Sequence, residues 1–133
     1  MRNKLTVLHL PTHVGNHGWS LCQAELRAGI DSHCMAIGNN NFNFPIECQI
    51  NYRNKIDKLV RIIKEIIHIS RSKYDVLHFN FGTTLIDFKR FNIELYDLCL
   101  YQKKAIVFSF NGYDLRQKLP IDYNPFSPLL EEE

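Results

Sequence analysis

The chain has 133 residues, a formal charge of +2, and 45% hydrophobic and 12% aromatic content, enough for about one domain with a real core. So small a charge argues against nucleic acid as a partner, and neither an RNA-binding aromatic motif nor zinc-finger spacing appears. The cysteines Cys22, Cys34, Cys48 and Cys99 form no C-x-x-C and no disulfide rhythm, so a reducing, cytoplasmic setting is expected, and no apolar run is long enough to span a bilayer.

Leu5 to Leu10 is an apolar run closed by Pro11, and it reads as a first strand. The turn that follows carries Gly15 and Gly18, and a helix then runs to Gly29. Ser20 and Gln23 fit a capping box, which places the helix start near Trp19 to Leu21. Two glycines let backbone N–H groups approach a ligand, and the helix adds positive dipole, so an anion such as phosphate is the expected guest. The spacing Gly15-x-x-Gly18 differs from the dinucleotide fingerprint G-x-G-x-x-G.

Ser32 to Ile37 reads as a second strand, stopped by Gly38 and the loop opened by Asn39-Asn40-Asn41. Glu47 to Asn51 alternates polar and apolar residues and supports a short edge strand. From Arg53 to Ser70 the residues Ile56, Leu59, Val60, Ile63, Ile66 and Ile67 keep helical periodicity, which predicts a long helix packing that stripe on a sheet. Asp75 to Phe81 is a central strand with His78 and Asn80 on one face. A second helix is expected over Phe91 to Tyr101, and Ala105 to Phe110 is a further strand ended by Asn111-Gly112. Beyond Arg116, Pro120, Pro125 and Pro128 interrupt the pattern, so residues 117–133 read as a tail or linker.

Strands alternating with helices predict an α/β fold: one Rossmann-like, doubly wound parallel sheet of order 3-2-1-4-5 with right-handed crossovers. In such sheets the ligand crevice lies beyond the carboxyl ends of the strands, where the order reverses. That rule gathers His9 to Gly18, Phe79 to Thr84 and Phe110 to Arg116 around one crevice. His9, His13 and His17 stand four apart, but Pro11 and Gly15 lie between them, so the helix that would make them metal ligands is excluded and no metal is expected.

Leu5-Thr6-Val7-Leu8-His9-Leu10-Pro11, the turn His13 to Trp19, Asp75-Val76-Leu77-His78-Phe79-Asn80-Phe81-Gly82 and Ile106 to Arg116 together resemble the N-terminal, acceptor-side domain of GT-B glycosyltransferases of the family 4 type. The likeness covers residues 4 to 116 in the family's order. It implies a retaining enzyme that transfers a sugar from a nucleotide-sugar co-substrate, with no further cofactor and a Rossmann-like domain at 1–116 forming one half of the GT-B fold. It places Gly15, Gly18 and Arg116 near the donor phosphates and His13, His17, His78, Asn80, Asn111 and Asp114 on the acceptor side. Relatives commonly carry His-Gly where this chain has Asn111-Gly112, and a second His where it has Asn80. An amide can hydrogen-bond a sugar hydroxyl but cannot shuttle a proton near neutral pH.

The resemblance also implies a C-terminal donor-binding domain or separate subunit, because transfer needs donor and acceptor in reacting geometry and half a cleft does little chemistry. The alternative reading is a non-catalytic sugar- or protein-binding module of the same fold. A receiver-type domain is disfavoured because the first strand lacks an acidic cluster for magnesium. A dinucleotide-binding domain is disfavoured because no acid closes the second strand. The resemblance implies a sugar or lipid-linked acceptor; Arg53 to Lys73 holds seven of the sixteen basic residues, a composition that suits peripheral contact with the inner face of a membrane. The sheet needs the apolar stripe, however, so a solvated basic face is the default reading of that helix.

Overall fold

The computed structural model describes residues 4–12, 14–38, 43–88 and 93–110. Its strands are β1 (Thr6–Leu10), β2 (Asp31–Ile37), β3 (Cys48–Ile50), β4 (Val76–Asn80) and β7 (Ala105–Ser109), in one sheet of order β3-β2-β1-β4-β7. Every pairing in that sheet is parallel. This is the Rossmann-like order that alternating apolar strands and helices predict. A separate antiparallel ribbon joins β5 (Asp87–Phe88) to β6 (Ile93–Glu94), a hairpin element that the sequence reading did not foresee.

Helix α1 (His17–Arg27) begins three residues ahead of Ser20, so Ser20 and Gln23 lie inside the helix and form no capping box. Gly15 and Asn16 are both left-handed, at φ 62 and φ 59, which turns the chain directly into the helix without a side-chain cap. The far end follows expectation. Gly29, at φ 85, donates to the Leu26 carbonyl and Ile30 to that of Glu25, the paired bonds of a Schellman ending.

Helix α2 (Lys55–Arg71) is capped by Asn54, whose side chain accepts from the Asp57 N–H. It buries Ile62, Ile66 and Ile69 against Leu8 and Leu10 of β1, Met35 of β2, and Leu77 and Phe79 of β4. This corrects the expected packing. Ile56, Leu59, Val60, Ile63 and Ile67 are exposed, and only Ile66 of the anticipated stripe meets the core. The helix is apolar over about half its circumference, so periodicity alone cannot say which part the sheet takes.

The helix expected over Phe91 to Tyr101 is replaced by β6 and a 3-10 segment, Tyr96–Tyr101. Leu95 at φ 62 is incompatible with a continuous helix. The buried Asp97 then organises the turn, accepting from the Thr84 and Tyr101 hydroxyls and the Leu85 N–H. Burial, followed by the adjacent Asp97, raises the Tyr101 phenol far above its ordinary range.

At the amino edge the strands are tied together. The Asp75 side chain accepts from the Thr6 N–H, and its backbone pairs with Thr6 and Ala105. The Lys104 ammonium donates to the carbonyls of Ser72 and Tyr74 and to the Ser72 hydroxyl. Among the described residues no helix is long and apolar enough to cross a membrane.

Candidate functional site

The carboxyl ends of β1 and β4, on either side of the reversal in strand order, carry the densest polar chemistry among the described residues. Asn80, 1% exposed at the end of β4, reaches the chain leaving β1. Its Oδ1 accepts from the Thr12 N–H at 3.2 Å and the Thr12 hydroxyl at 2.7 Å, and its Nδ2 donates to the Thr12 carbonyl at 3.0 Å. The amide is thereby committed to holding the glycine turn against the sheet. Gly18 closes the junction: a Cβ there would lie 3.5 Å from Asn80 Nδ2, 3.6 Å from the Thr12 carbonyl oxygen and 3.9 Å from His9 Cβ.

Below the rim, period-two alternation and parallel register place His9 directly opposite His78 on the face covered by α1. Their Nδ1 atoms are 2.7 Å apart, and His9 Nε2 lies 2.9 Å from Glu25 Oε2 and 3.2 Å from Ser32 Oγ. An ionised carboxylate only accepts, so His9 carries a proton on Nε2. With both rings neutral, His9 Nδ1 is then the acceptor and His78 Nδ1 the donor. Burial first, then the nearby His9 and His17, hold His78 below the ordinary histidine range, and Glu25 acts in the opposite sense. His17 stands at the start of α1 with its ring 6.4 Å from that of His78.

On the other side of the rim a small cavity of about 120 Å³ lies between the loops after β1 and β4. Thr12, Thr83, Thr84, Lys58 and Asp87 give it hydroxyls and opposite charges, with Ile37 and Ile62 as apolar floor. Successive positive φ values at Phe81 and Gly82 turn the chain sharply beneath it, and the ring of Phe110 fills the place a side chain at 82 would need. Two buried polar atoms without hydrogen-bond partners, Asn16 Oδ1 and Ser109 Oγ, belong to the glycine turn and to the carboxyl end of β7.

Of the residues singled out from the sequence, Gly15, Gly18, His17, His78 and Asn80 come together at or just beneath this rim. His13, Asn111, Asp114 and Arg116 lie outside the described residues, as do the loop at 39–42 and the tail at 117–133. Sequence reasoning placed His9, Thr12 and Thr83 within the segments around the crevice but gave them no role of their own there, and it did not reach Glu25. The signal for His9 was present: Leu8-His9-Leu10 and Leu77-His78-Phe79 are the same pattern in two strands predicted to be neighbours.

One group of side chains has the chemistry of a metal site. Cys22, Cys34 and Glu47 place their ligand atoms within 4.8 Å of one another. Two of the three side chains are otherwise engaged: Cys22 Sγ donates to the Ser32 carbonyl, and Glu47 accepts from the Cys34 backbone N–H and contacts His33 Nδ1. Burial raises both thiols, Cys34 to about 11, so they are protonated and poorly nucleophilic near neutral pH. The group lies midway along β2, away from the rim.

Comparison of the chain with protein families, with curated proteins and with solved structures found no match.

Proposed function

We propose that this chain is the acceptor-side half of a retaining glycosyltransferase of GT-B type, which moves a sugar from a nucleotide-sugar when joined by a donor-binding domain or subunit. The observation that carries the reading is the close junction of the Gly18 turn with Asn80 and Thr12 at the switch point of a parallel sheet. A crevice there is where a doubly wound sheet takes its ligand. Gly15 has open space around its missing Cβ, and α1 starts without a side-chain cap, so the donor diphosphate would approach there and meet the positive end of the helix. The cavity lined by Thr12, Thr83, Lys58 and Asp87 suits part of an acceptor sugar, whose hydroxyls both donate and accept. His17 borders the groove. The neutral His78 lies beneath it, coupled through His9 to Glu25, and Asn80 acts by positioning Thr12. The departing diphosphate is itself able to assist the transfer, and the donor side supplies the remaining charge.

The engagement of Asn80 and His78 with internal partners favours a second reading, a sugar-binding module without catalysis. Nuclear magnetic resonance titration of the full chain with UDP, GDP and inorganic pyrophosphate separates the two. Millimolar binding, about −4 kcal/mol, that shifts the amides of Thr12 and Gly15 to Ser20 is the expected result. Shifts confined to other surfaces, or none, overturn the donor-side assignment. A response to free sugars alone supports the binding module.

A further inference from the structure

The outer flank of α2 exposes aliphatic side chains beside a row of cations. Ile56 is 76% exposed, and Leu59, Val60, Ile63 and Ile67 are 43% to 47% exposed. On the helical repeat of about 3.6 residues these five form one unbroken aliphatic stripe beside the buried Ile62, Ile66 and Ile69. Lys64 and Arg71 stand next to the stripe on the crest opposite the sheet, followed by His68 and Arg61. The acids nearby do little to offset them: Asp57 is paired with Arg61 at 2.9 Å, and Glu65 faces the far flank. At the carboxyl end of α2, Lys64, Ile67, His68, Arg71 and Ser72 line an open concavity of about 380 Å³. The 3-10 segment packed against the helix also exposes Tyr96 and Leu100.

We propose that this flank is a docking surface for an anionic lipid bilayer. Ile56, Leu59, Val60, Ile63 and Ile67 enter the acyl boundary, and Lys64, His68 and Arg71 hold lipid phosphates in the concavity beside them. The stripe is convex and wholly aliphatic, and its nearest polar neighbours include lysine. Protein interfaces concentrate aromatic residues at their centres and are depleted in lysine. A helix lying in the headgroup layer needs an apolar face bordered by cations. The sheet takes only the narrower row Ile62, Ile66 and Ile69, so the competing demand on the stripe that an amphipathic pattern normally implies is absent here. The proposal stands independently of sugar transfer.

The test is flotation of the full chain with phosphatidylcholine vesicles, alone or containing about 30 mol% phosphatidylglycerol, at low and high salt. The chain is expected to float with the anionic vesicles only, and less so at high salt. Lys64→Glu with Arg71→Glu should lower the bound fraction about tenfold or more. Ile56→Ser with Ile63→Ser, which keeps the charge and alters only exposed positions, should lower it severalfold, with circular dichroism reporting an unchanged fold. Absence of flotation at low salt overturns the proposal. So does a serine variant that binds as well as the parent, since that is adsorption by charge alone. A concentration-dependent dimer in sedimentation velocity that Ile63→Asp dissociates overturns it as well, by assigning the stripe to a second copy.

Discussion

The two faces of the sheet are made from alternate residues of the same strands, yet they are built on opposite principles. Leu8, Leu10, Leu77 and Phe79 point toward α2 and form an apolar core with Ile62, Ile66 and Ile69. His9, His78 and Asn80, the residues between them, point toward α1 and are as deeply buried, in a network completed by Glu25, Ser32 and Thr12. A side chain on the first face contributes through area removed from water, in any orientation that fills space. On the second, each group must keep a partner, because an unpaired polar atom in the interior costs its full desolvation. The first face supplies stability, and the second fixes where the turn after β1 sits relative to β4.

The contrast breaks most plainly at Phe79. It is fully buried and its ring stacks on Phe108 at 5.4 Å, so Phe79→Ala should cost about 3–5 kcal/mol in urea unfolding. On the opposite face His9→Leu should cost less, about 1–3 kcal/mol, and by another route: it leaves His78 Nδ1 and Ser32 without their partner. Replacing both histidines by leucine should then cost less than the sum of the single changes, because the ring nitrogen that each single change strands is gone, although Ser32 and Glu25 still lack their partner. Additive losses in that double-mutant cycle would show that the pair is not coupled.

A third effect separates the faces by pH. The folded chain holds His78 below 6.5, so the unfolded chain binds that proton more readily. Stability therefore stands at its full value above pH 6.5, starts to fall as the pH drops through it, and stops falling at the depressed folded value. Thermal melts from pH 7.5 down to about 5 should show this loss, and His78→Gln should flatten it while Ile66→Val leaves it intact. The smallest change is Asn54→Ala. It removes the cap of α2 and should cost about 1 kcal/mol without altering the pH profile, since its bond to the Asp57 N–H is exposed and involves no histidine.

Strand order was legible because apolar runs bounded by Gly38, Gly82 and Asn111-Gly112 alternate with longer periodic segments, and chirality leaves few ways to wind them. What escaped the sequence was decided by tertiary context. The start of α1 moved to His17 because two consecutive left-handed residues are set by the junction with Asn80, not by a capping box. The helix over Phe91 to Tyr101 gave way because Asp97 finds three donors in the buried turn. In α2 the apolar half-circumference was visible, but which part of it the sheet would take was not. The rim was foreseen from topology, whereas the His9 and Glu25 pairing depends on a contact between α1 and β1 that no local pattern encodes.

Lys104 has a consequence for how the sheet moves. One ammonium group gathers the end of α2, the approach to β4 and the start of β7, and Asp75 fastens β1 and β7 to the same margin. At the opposite end Asn80 binds Thr12 through three hydrogen bonds, so β1 and β4 are fastened at both margins. The pair therefore moves as one unit and carries the turn with Gly15 and Gly18 along with it.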